Sequence, residues 1–263
     1  MRVDEKVFVV TGAGSGLGRA LTLELTNRGA KVAAVDIRED ALSQTKALAG
    51  IHVETFQLDI TDIAAVATLP TRVINHFGQV DGLINNAGII QKFVPITELS
   101  LEDSQRVMSV NFTGQLLMIK SFLPYLLSRP VATILDVSSM GAYAPVPGQS
   151  IYGASKAALA QLTDGLRSEL LDTSVHVTLV YPGAMDTNIA ENSGVAVASN
   201  ATSTIKMKRT SPMTAAREIV DAIEKGRERI YIGQDARALN VLSRLSPKIA
   251  RFMIGRRMRG LLR

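Results

Sequence analysis

Short apolar runs rich in β-branched residues alternate along the chain with stretches in which apolar residues recur at helical spacing. The short runs, typical of buried strands, lie at 6–11, 31–36, 53–58, 82–85, 133–137, 175–181 and 229–232. The helical stretches lie between them, at 17–28, 39–48, 62–77, 100–127, 151–171 and 214–226. Regular strand–helix alternation is typical of a parallel sheet whose two faces are both covered. The pattern predicts a single-domain α/β fold, with a doubly wound parallel sheet of about seven strands and helices on both faces.

Two segments break this alternation. Residues 188–211 are rich in Ser, Thr, Asn and Ala without a clear apolar period, which indicates a long loop or loose helices over a site. A new helix is expected near Pro212, because proline is favoured in the first helical turn. The second segment is the C-terminal tail. We therefore expect one catalytic domain over residues 1–235, with a substrate loop at about 185–213, followed by a tail over residues 236–263.

The tail carries the basic character of the chain. The formal net charge is +5, yet eight basic and no acidic residues lie between Arg237 and Arg263, so the remainder is mildly acidic. Apolar residues recur in the tail at roughly helical spacing: Leu239, Leu242, Leu245, Ile249 and Phe252. Pro247 is expected to kink or divide this helix. Two interpretations stay open: the tail packs on the body or at a subunit interface, or it lies on an anionic membrane surface.

Composition narrows the class of protein. With 263 residues, 46% of them hydrophobic and 20% charged, the chain is typical of a soluble globular protein. Cysteine is absent, and the three histidines lie far apart, so we expect no disulfide and no metal site. No nucleic-acid-binding motif accompanies the basic tail, so nucleic acid is not an expected partner. No signal-peptide pattern and no run of about 18 apolar residues is found. We expect a cytoplasmic protein, with membrane association through the tail as the alternative.

The first predicted strand leads directly into the segment Thr11-Gly-Ala-Gly-Ser-Gly-Leu-Gly18. Glycine lets the backbone turn tightly and approach a pyrophosphate, and the next helix presents free N–H groups at its positive end. Asp36, at the end of the second strand, lies 18 residues after Gly18, close to the spacing of an acid that binds ribose hydroxyls. The segment therefore predicts a Rossmann-type dinucleotide site.

Tyr152 and Lys156 are four residues apart at the start of a predicted helix, so both side chains lie on one helical face. A free tyrosine has a pKa of about 10 and is a poor base at neutral pH. A neighbouring ammonium group stabilises the phenolate and lowers that pKa toward the working range. The pair is therefore a candidate for proton transfer.

These motifs together resemble the classical short-chain dehydrogenase/reductase family, over about residues 5–233. The glycine spacing is that of the family, Gly12-x-x-x-Gly16-x-Gly18, and the family's fourth-strand motif is matched by Asn85-Asn86-Ala87-Gly88. The resemblance implies a catalytic set of four residues: Asn111, Ser139, Tyr152 and Lys156.

The resemblance also implies a role for each member of this set. Ser139 hydrogen-bonds the substrate oxygen, and Tyr152 removes its proton during oxidation. Lys156 holds the cofactor ribose and lowers the tyrosine pKa, while Asn111 holds a water of the proton relay. Ser138 is chemically equivalent to Ser139, and only the family spacing of 13 residues before the tyrosine selects Ser139.

The residues implied to contact a nicotinamide dinucleotide are Gly12, Ser15, Gly16, Leu17, Gly18, Asp36, Ile37, Asp59, Ile60, Asn86, Ala87, Gly88, Tyr152, Lys156, Pro182, Gly183, Met185 and Thr187. A carboxylate at Asp36 accepts hydrogen bonds from the ribose 2′-hydroxyl and repels the 2′-phosphate of NADP. Ser15 and Ile37 stand where NADP-preferring relatives usually carry Lys or Arg, although Arg38 follows one residue later. We therefore predict NAD as the cofactor, with NADP as the less favoured alternative.

The expected activity is that of an NAD(P)-dependent oxidoreductase which interconverts a secondary alcohol and a ketone. The pocket is expected to favour a neutral, fairly hydrophobic substrate, because the implied lining residues are Met140, Tyr143, Val146, Met185, Val195 and Val197. Two alternatives stay open: a family member acting on small diols or ketones such as acetoin-like compounds, and a catalytically silent dinucleotide-binding regulatory or scaffold protein. The resemblance further implies a homodimer or homotetramer, assembled through the helices near 100–127 and 151–171.

Overall fold

Seven parallel strands form one sheet in the computed structural model, which describes residues 1–195 and 209–258. The strands are β1 (Val7–Thr11), β2 (Lys31–Asp36), β3 (Val53–Gln57), β4 (Gly82–Asn85), β5 (Ala132–Val137), β6 (Val175–Pro182) and β7 (Arg229–Ile232). Their order across the sheet is β3-β2-β1-β4-β5-β6-β7. This confirms the predicted doubly wound sheet, and the strand bounds agree with the prediction to within one residue.

Ten helices of the described residues surround the sheet. They are α1 (Gly16–Asn27), α2 (Glu39–Ala49), α3 (Ile63–Phe77), α4 (Leu101–Met108), α5 (Gln115–Leu127), α6 (Ser150–Glu169), α7 (Ile189–Asn192), α8 (Pro212–Glu224), α9 (Gln234–Leu245) and α10 (Pro247–Met258). Apolar residues of α1, α2 and α8 form one core cluster with the sheet, and those of α3, α5 and α6 form the cluster on its other face.

Alternation along β1 shows why both faces must be covered. Phe8 and Val10 belong to the first core cluster, while Val7 and Val9 belong to the second, and all four are at most 1% exposed. A strand that is buried on both faces has a continuous run of apolar residues, as β1 has. β1 pairs with β2 on one side and with β4 on the other, so the crossovers change direction there. Ligands of such sheets bind at the carboxyl ends of the strands at this point.

The helix predicted near 100–127 is interrupted. Between α4 and α5 the backbone forms a π-helical segment, Ser109–Gly114, and this segment contains Asn111. One extra residue per turn shifts the side chains that follow it, and π-helical segments are frequent at functional sites. The helix expected near Pro212 is confirmed, with Pro212 in its first turn and Ser211 capping it through Thr214 N at 3.1 Å.

The predicted loop and tail are described only in part. Residues 188–211 contain α7, whereas residues 196–208, with Val197, lie outside the described residues. Pro247 divides the tail as expected, because α9 ends at Leu245 and α10 begins at Pro247. Residues 259–263 lie outside the described residues as well. Within residues 1–195 and 209–258, no helix is both long and apolar enough to span a bilayer.

Candidate active site

A cleft of about 560 Å³ opens at the carboxyl ends of the strands where the sheet changes direction. Of the predicted cofactor residues, all but Gly18 line this cleft, and so do Ser139, Tyr152 and Lys156 of the predicted catalytic set. Asn111 lies behind the wall and is fully buried. The structure thus brings residues from six strand ends to one place. No group of three potential metal ligands occurs among the described residues.

The glycine loop leaves room for a phosphate rather than for side chains. Gly12 and Gly16 have φ angles of +66° and +50°, the left-handed region that glycine adopts without strain. A β-carbon on Gly12 would come within 3.0 Å of Ala87 Cα, and one on Gly18 would overlap the carbonyl oxygen of Gly12. Ser15 precedes α1 without capping it, so the first N–H groups of that helix face the cleft uncapped by its hydroxyl. The loop therefore fits the pyrophosphate of a dinucleotide.

Asp36 lines the end of the cleft that is predicted to hold the cofactor ribose. Its carboxylate accepts hydrogen bonds from Gly14 N at 2.9 Å and from Arg38 N at 3.0 Å, which fix its orientation. The Arg38 guanidinium lies 3.8 Å from the same carboxylate and donates to Asn192 Oδ1 at 3.0 Å. Asn192 in turn donates to Ser15 Oγ at 2.9 Å. These hydrogen bonds hold α7 against the loop after β1 and the loop after β2, both of which line the cleft.

The structure distinguishes the two neighbouring serines. Ser138 Oγ donates to Lys156 O at 2.8 Å, so its proton is used in a hydrogen bond between the end of β5 and α6. Ser139 Oγ accepts from Gly141 N at 3.1 Å, which leaves its own proton free to donate into the cleft. Burial raises the pKa of Tyr152, and a hydrogen bond with Ser139 opposes this rise. Geometry therefore favours Ser139, which family spacing alone had selected.

Lys156 is 4% exposed, and its ammonium group donates to Val137 O at 2.8 Å. Burial lowers the pKa of Lys156 to about 8, and the charge of Asp136 opposes this change. Asp136 is itself fully buried, and burial raises its pKa to about 6 against hydrogen bonds from Asn85 and Thr163. The lowering of the tyrosine pKa by Lys156, implied by the resemblance, stays a prediction, and in this structure the ammonium group is bonded to strand β5.

The Asn111 side chain forms hydrogen bonds with the loop that follows β4. Its Oδ1 accepts from Ile89 N at 2.9 Å, and its Nδ2 donates to Ile89 O at 2.9 Å and to Ser155 Oγ at 3.0 Å. Both amide protons are thereby used. The water-holding role implied by resemblance stays a prediction, and the side chain itself joins the loop at Ile89 to the helix of the catalytic pair.

Gln91 was missed by the sequence reasoning and holds the first turn of α6. This side chain is 1% exposed, and its Oε1 accepts from Ile151 N at 2.8 Å and from Tyr152 N at 3.0 Å. Its Nε2 donates to Gly148 O at 2.9 Å. The residue that precedes α6, Gln149, makes no side-chain cap. Because 61 residues separate Gln91 from Tyr152, no local pattern could have shown the contact.

The end of the cleft that is predicted to hold the nicotinamide is bounded by the segment after β6. Ala184 N donates to Asp235 Oδ2 at 2.7 Å, and a β-carbon at Gly183 would overlap the same carboxylate. Asp235 lies in the first turn of α9, so the root of the tail fixes this segment. Met185 lines the cleft beside it.

The predicted apolar pocket is corrected by the structure. Among its described members only Met185 lines the cleft, and four do not: Met140, Tyr143, Val146 and Val195. The Tyr143 ring instead packs edge-on against Tyr181 at 5.3 Å, and its hydroxyl donates to Ala236 O at 2.8 Å. These contacts hold the Tyr143 ring outside the cleft lining, and the spacing of apolar residues along the chain does not reveal them.

Comparison with known proteins agrees with this geometry. A family model described as short chain dehydrogenase matches residues 6–197. A putative oxidoreductase SadH of Mycobacterium tuberculosis is 37% identical over 250 residues, which cover 91% of this chain and 90% of that protein. A short-chain dehydrogenase/reductase of Burkholderia phymatum in complex with NAD superposes with a TM-score of 0.86 at 26% identity, covering 96% of each chain. A short-chain dehydrogenase of Burkholderia cenocepacia J2315 in complex with NADP gives 0.82 at 30% identity, covering 97% of this chain and 99% of that one.

Proposed function

The chain belongs to the short-chain dehydrogenase/reductase family of NAD(P)-binding oxidoreductases, and we propose that it interconverts a secondary alcohol and a ketone with NAD as the preferred cofactor. The observation that carries this proposal is the arrangement of Ser139, Tyr152 and Lys156 along one wall of the cleft. Nothing in the packing of the core requires this combination of polar side chains, and all three are at least partly buried.

The roles follow from the contacts. A nicotinamide ring held by the cleft residues would accept or supply the hydride. Ser139 has a hydroxyl proton to donate to the substrate oxygen, and Tyr152, beside it, takes or returns the proton of that oxygen. Lys156 carries a positive charge below pH of about 8, which stabilises a phenolate at Tyr152 and binds the ribose hydroxyls. Asn111 and Gln91 hold the loop and the helix that align these groups.

Asp36 supports the preference for NAD. Its carboxylate lies in the cleft with its orientation fixed by two backbone N–H groups. A 2′-phosphate placed there would meet a negative charge at short range. Arg38, the group that would offset this repulsion, is engaged by Asp36 and Asn192. Binding NADP would require that bridge to open.

A neutral and fairly hydrophobic substrate is the second part of the proposal. Two arginines line the cleft, and both are engaged: Arg38 as above, and Arg106 by donation to Ser193 O at 3.0 Å. The apolar side chains of Ile89, Met185 and Ile189 line the same cleft. Each of the three lining cations, Arg38, Arg106 and Lys156, thus already donates to a protein group, which supports a substrate without a carboxylate or phosphate.

The decisive experiment is reduction of NAD, and separately of NADP, with a panel of secondary alcohols from small diols to bulky apolar ones. The proposal expects turnover of a bulky apolar alcohol with NAD. Turnover confined to small diols would refute the apolar pocket and leave the reaction class intact. If the protein binds NADH tightly but neither oxidises any alcohol nor reduces any ketone, a dinucleotide-binding regulatory protein would be favoured.

We also propose that the protein forms a homodimer or homotetramer through the α4–α5 and α6 faces. Leu101, Tyr125 and Leu127 are exposed on the first two helices. Exposed apolar side chains on these helices suit an interface between copies. Sedimentation velocity checks the proposal, and a monomer at micromolar concentration would refute it.

A further inference from the structure

The two tail helices expose a cluster of large apolar side chains. Of the fifteen such exposed side chains among the described residues, five lie within thirteen positions of the tail, with 51% to 81% of their surface exposed. We call them, with the basic residues between them, the tail surface; its apolar members are Val241, Leu245, Ile249, Phe252 and Met253. Single exposed apolar residues are ordinary, whereas a cluster of them marks an interaction site.

The opposite faces of the same helices are packed. Ala236 of α9 is fully buried, and Ala250 and Ile254 of α10 are 2% and 6% exposed. Tyr143 donates to Ala236 O, so α9 is also hydrogen-bonded to the body. Helix α9 is therefore held against the protein at its start, both tail helices bury one side, and the tail surface is exposed.

Basic side chains surround the apolar ones. The tail surface includes Arg244, Lys248, Arg251 and Arg256, which are all exposed. Among the described residues none of these four forms an ion pair, and the sequence has no acidic residue between Arg237 and Arg263. A surface that is both apolar and uniformly cationic is complementary to a partner that is both apolar and anionic.

We propose that the tail surface binds an anionic lipid bilayer as a peripheral contact. Arginine and lysine reach the phosphate groups while their neighbours Leu245, Ile249 and Phe252 enter the boundary between headgroups and acyl chains. A second copy of the same face would bring like charges together, which disfavours a symmetric contact. Nucleic acid would satisfy the charge and leave the apolar side chains in water. The proposal does not depend on the proposed substrate.

The test is co-sedimentation of the full-length protein with vesicles of phosphatidylcholine alone and of phosphatidylcholine mixed with phosphatidylglycerol. Each basic residue close to an anionic surface strengthens partitioning by about fivefold. The double variant Lys248→Gln/Arg251→Gln should therefore lower partitioning about 25-fold. Leu245→Ser/Phe252→Ser should lower it at least tenfold, because both buried apolar groups are lost.

Matched controls lie elsewhere on the surface. Ile51 is 94% exposed and Lys31 is exposed, so Ile51→Ser and Lys31→Gln remove an exposed apolar side chain and an exposed charge outside the tail. Both should partition like the parent, and thermal unfolding verifies that every variant is folded. Binding equal with and without phosphatidylglycerol, or equal losses in the controls, would overturn the proposal. An absence of vesicle binding would overturn it as well, and an oligomer that Leu245→Ser/Phe252→Ser dissociates would then identify a subunit interface.

Discussion

Removing the side chain of Gln91 should impair catalysis from outside the cleft. Gln91→Ala deletes the acceptor of Ile151 N and Tyr152 N and the donor to Gly148 O. Helix α6 has no other side-chain cap at this end, since Gln149 makes none. The first turn, which carries the catalytic tyrosine, would then lose the contacts that fix it.

The size of the effect follows from the lost bonds. A buried donor without a partner costs about 1–3 kcal/mol, and loss of a helix cap typically costs about 1 kcal/mol. Because the two backbone donors remain partly accessible to water, we expect about 2–3 kcal/mol in total, or a fall in melting temperature of about 5–10 °C. A displacement of about 1 Å at a catalytic group can lower turnover about 100-fold, so kcat should fall by that order while NADH affinity changes little.

Asp62→Ala is the matched control. Asp62 caps α3 by accepting from Ala64 N and Ala65 N, both at 3.0 Å, so this variant also removes two capping bonds. Helix α3 carries no predicted catalytic residue. Thermal unfolding, NADH fluorescence titration and steady-state turnover would be measured for both variants. A Gln91→Ala protein whose kcat stays within about twofold of the parent, or an equal loss of kcat in Asp62→Ala, would refute the reasoning.

Four further predictions follow from the site. Tyr152→Phe should abolish turnover and leave NADH affinity within about twofold, because only the transferable proton is lost; alcohol oxidation assays check this. Asp36→Ala should lower kcat/KM with NAD and raise it with NADP, measured with one alcohol, since the repulsion of a 2′-phosphate is removed. NADH affinity should fall as pH rises through about 8, where Lys156 loses its charge. In Asp136→Asn the midpoint of this fall should move to lower pH, because the Asp136 carboxylate stabilises the charged form of Lys156. Asp235→Ala should weaken NADH binding about tenfold in equilibrium titration, because the nicotinamide segment loses a charge-assisted hydrogen bond; unchanged affinity would contradict its positioning role.

The sheet and the glycine loop were predictable because their signals are local. The five inner strands are short runs buried almost entirely on both faces, and the backbone angles at Gly12 and Gly16 need glycine at those positions. The π-helical segment was not predictable, since α4, Ser109–Gly114 and α5 follow one another without an interruption that periodicity reveals. The burial of Asn111, which belongs to this segment, is likewise visible only in three dimensions.

Contacts between distant positions account for the rest. Asn192 meets Ser15 across 177 residues and Arg38 across 154, so the fastening of α7 over the ribose end has no sequence signature. The choice between Ser138 and Ser139 likewise depends on which hydroxyl is taken by the backbone of α6. A short motif reports which residue types are present, whereas the state of their hydrogen bonds depends on elements far away in sequence.

The root of the tail connects the outer surface of the protein with the reaction centre. Asp235 holds Ala184 on one side of the cleft, and the next residue, Ala236, accepts the hydroxyl of Tyr143 from the loop that follows the catalytic serine. Both contacts lie in the first turn of α9, one to two turns from the exposed Val241. The bilayer contact proposed above would therefore lie on the same helix that holds these two loops. Substitutions at the root and on the outer face of α9 should thus differ in kind: the former alter cofactor affinity in solution, and the latter alter the protein only where a lipid surface is present.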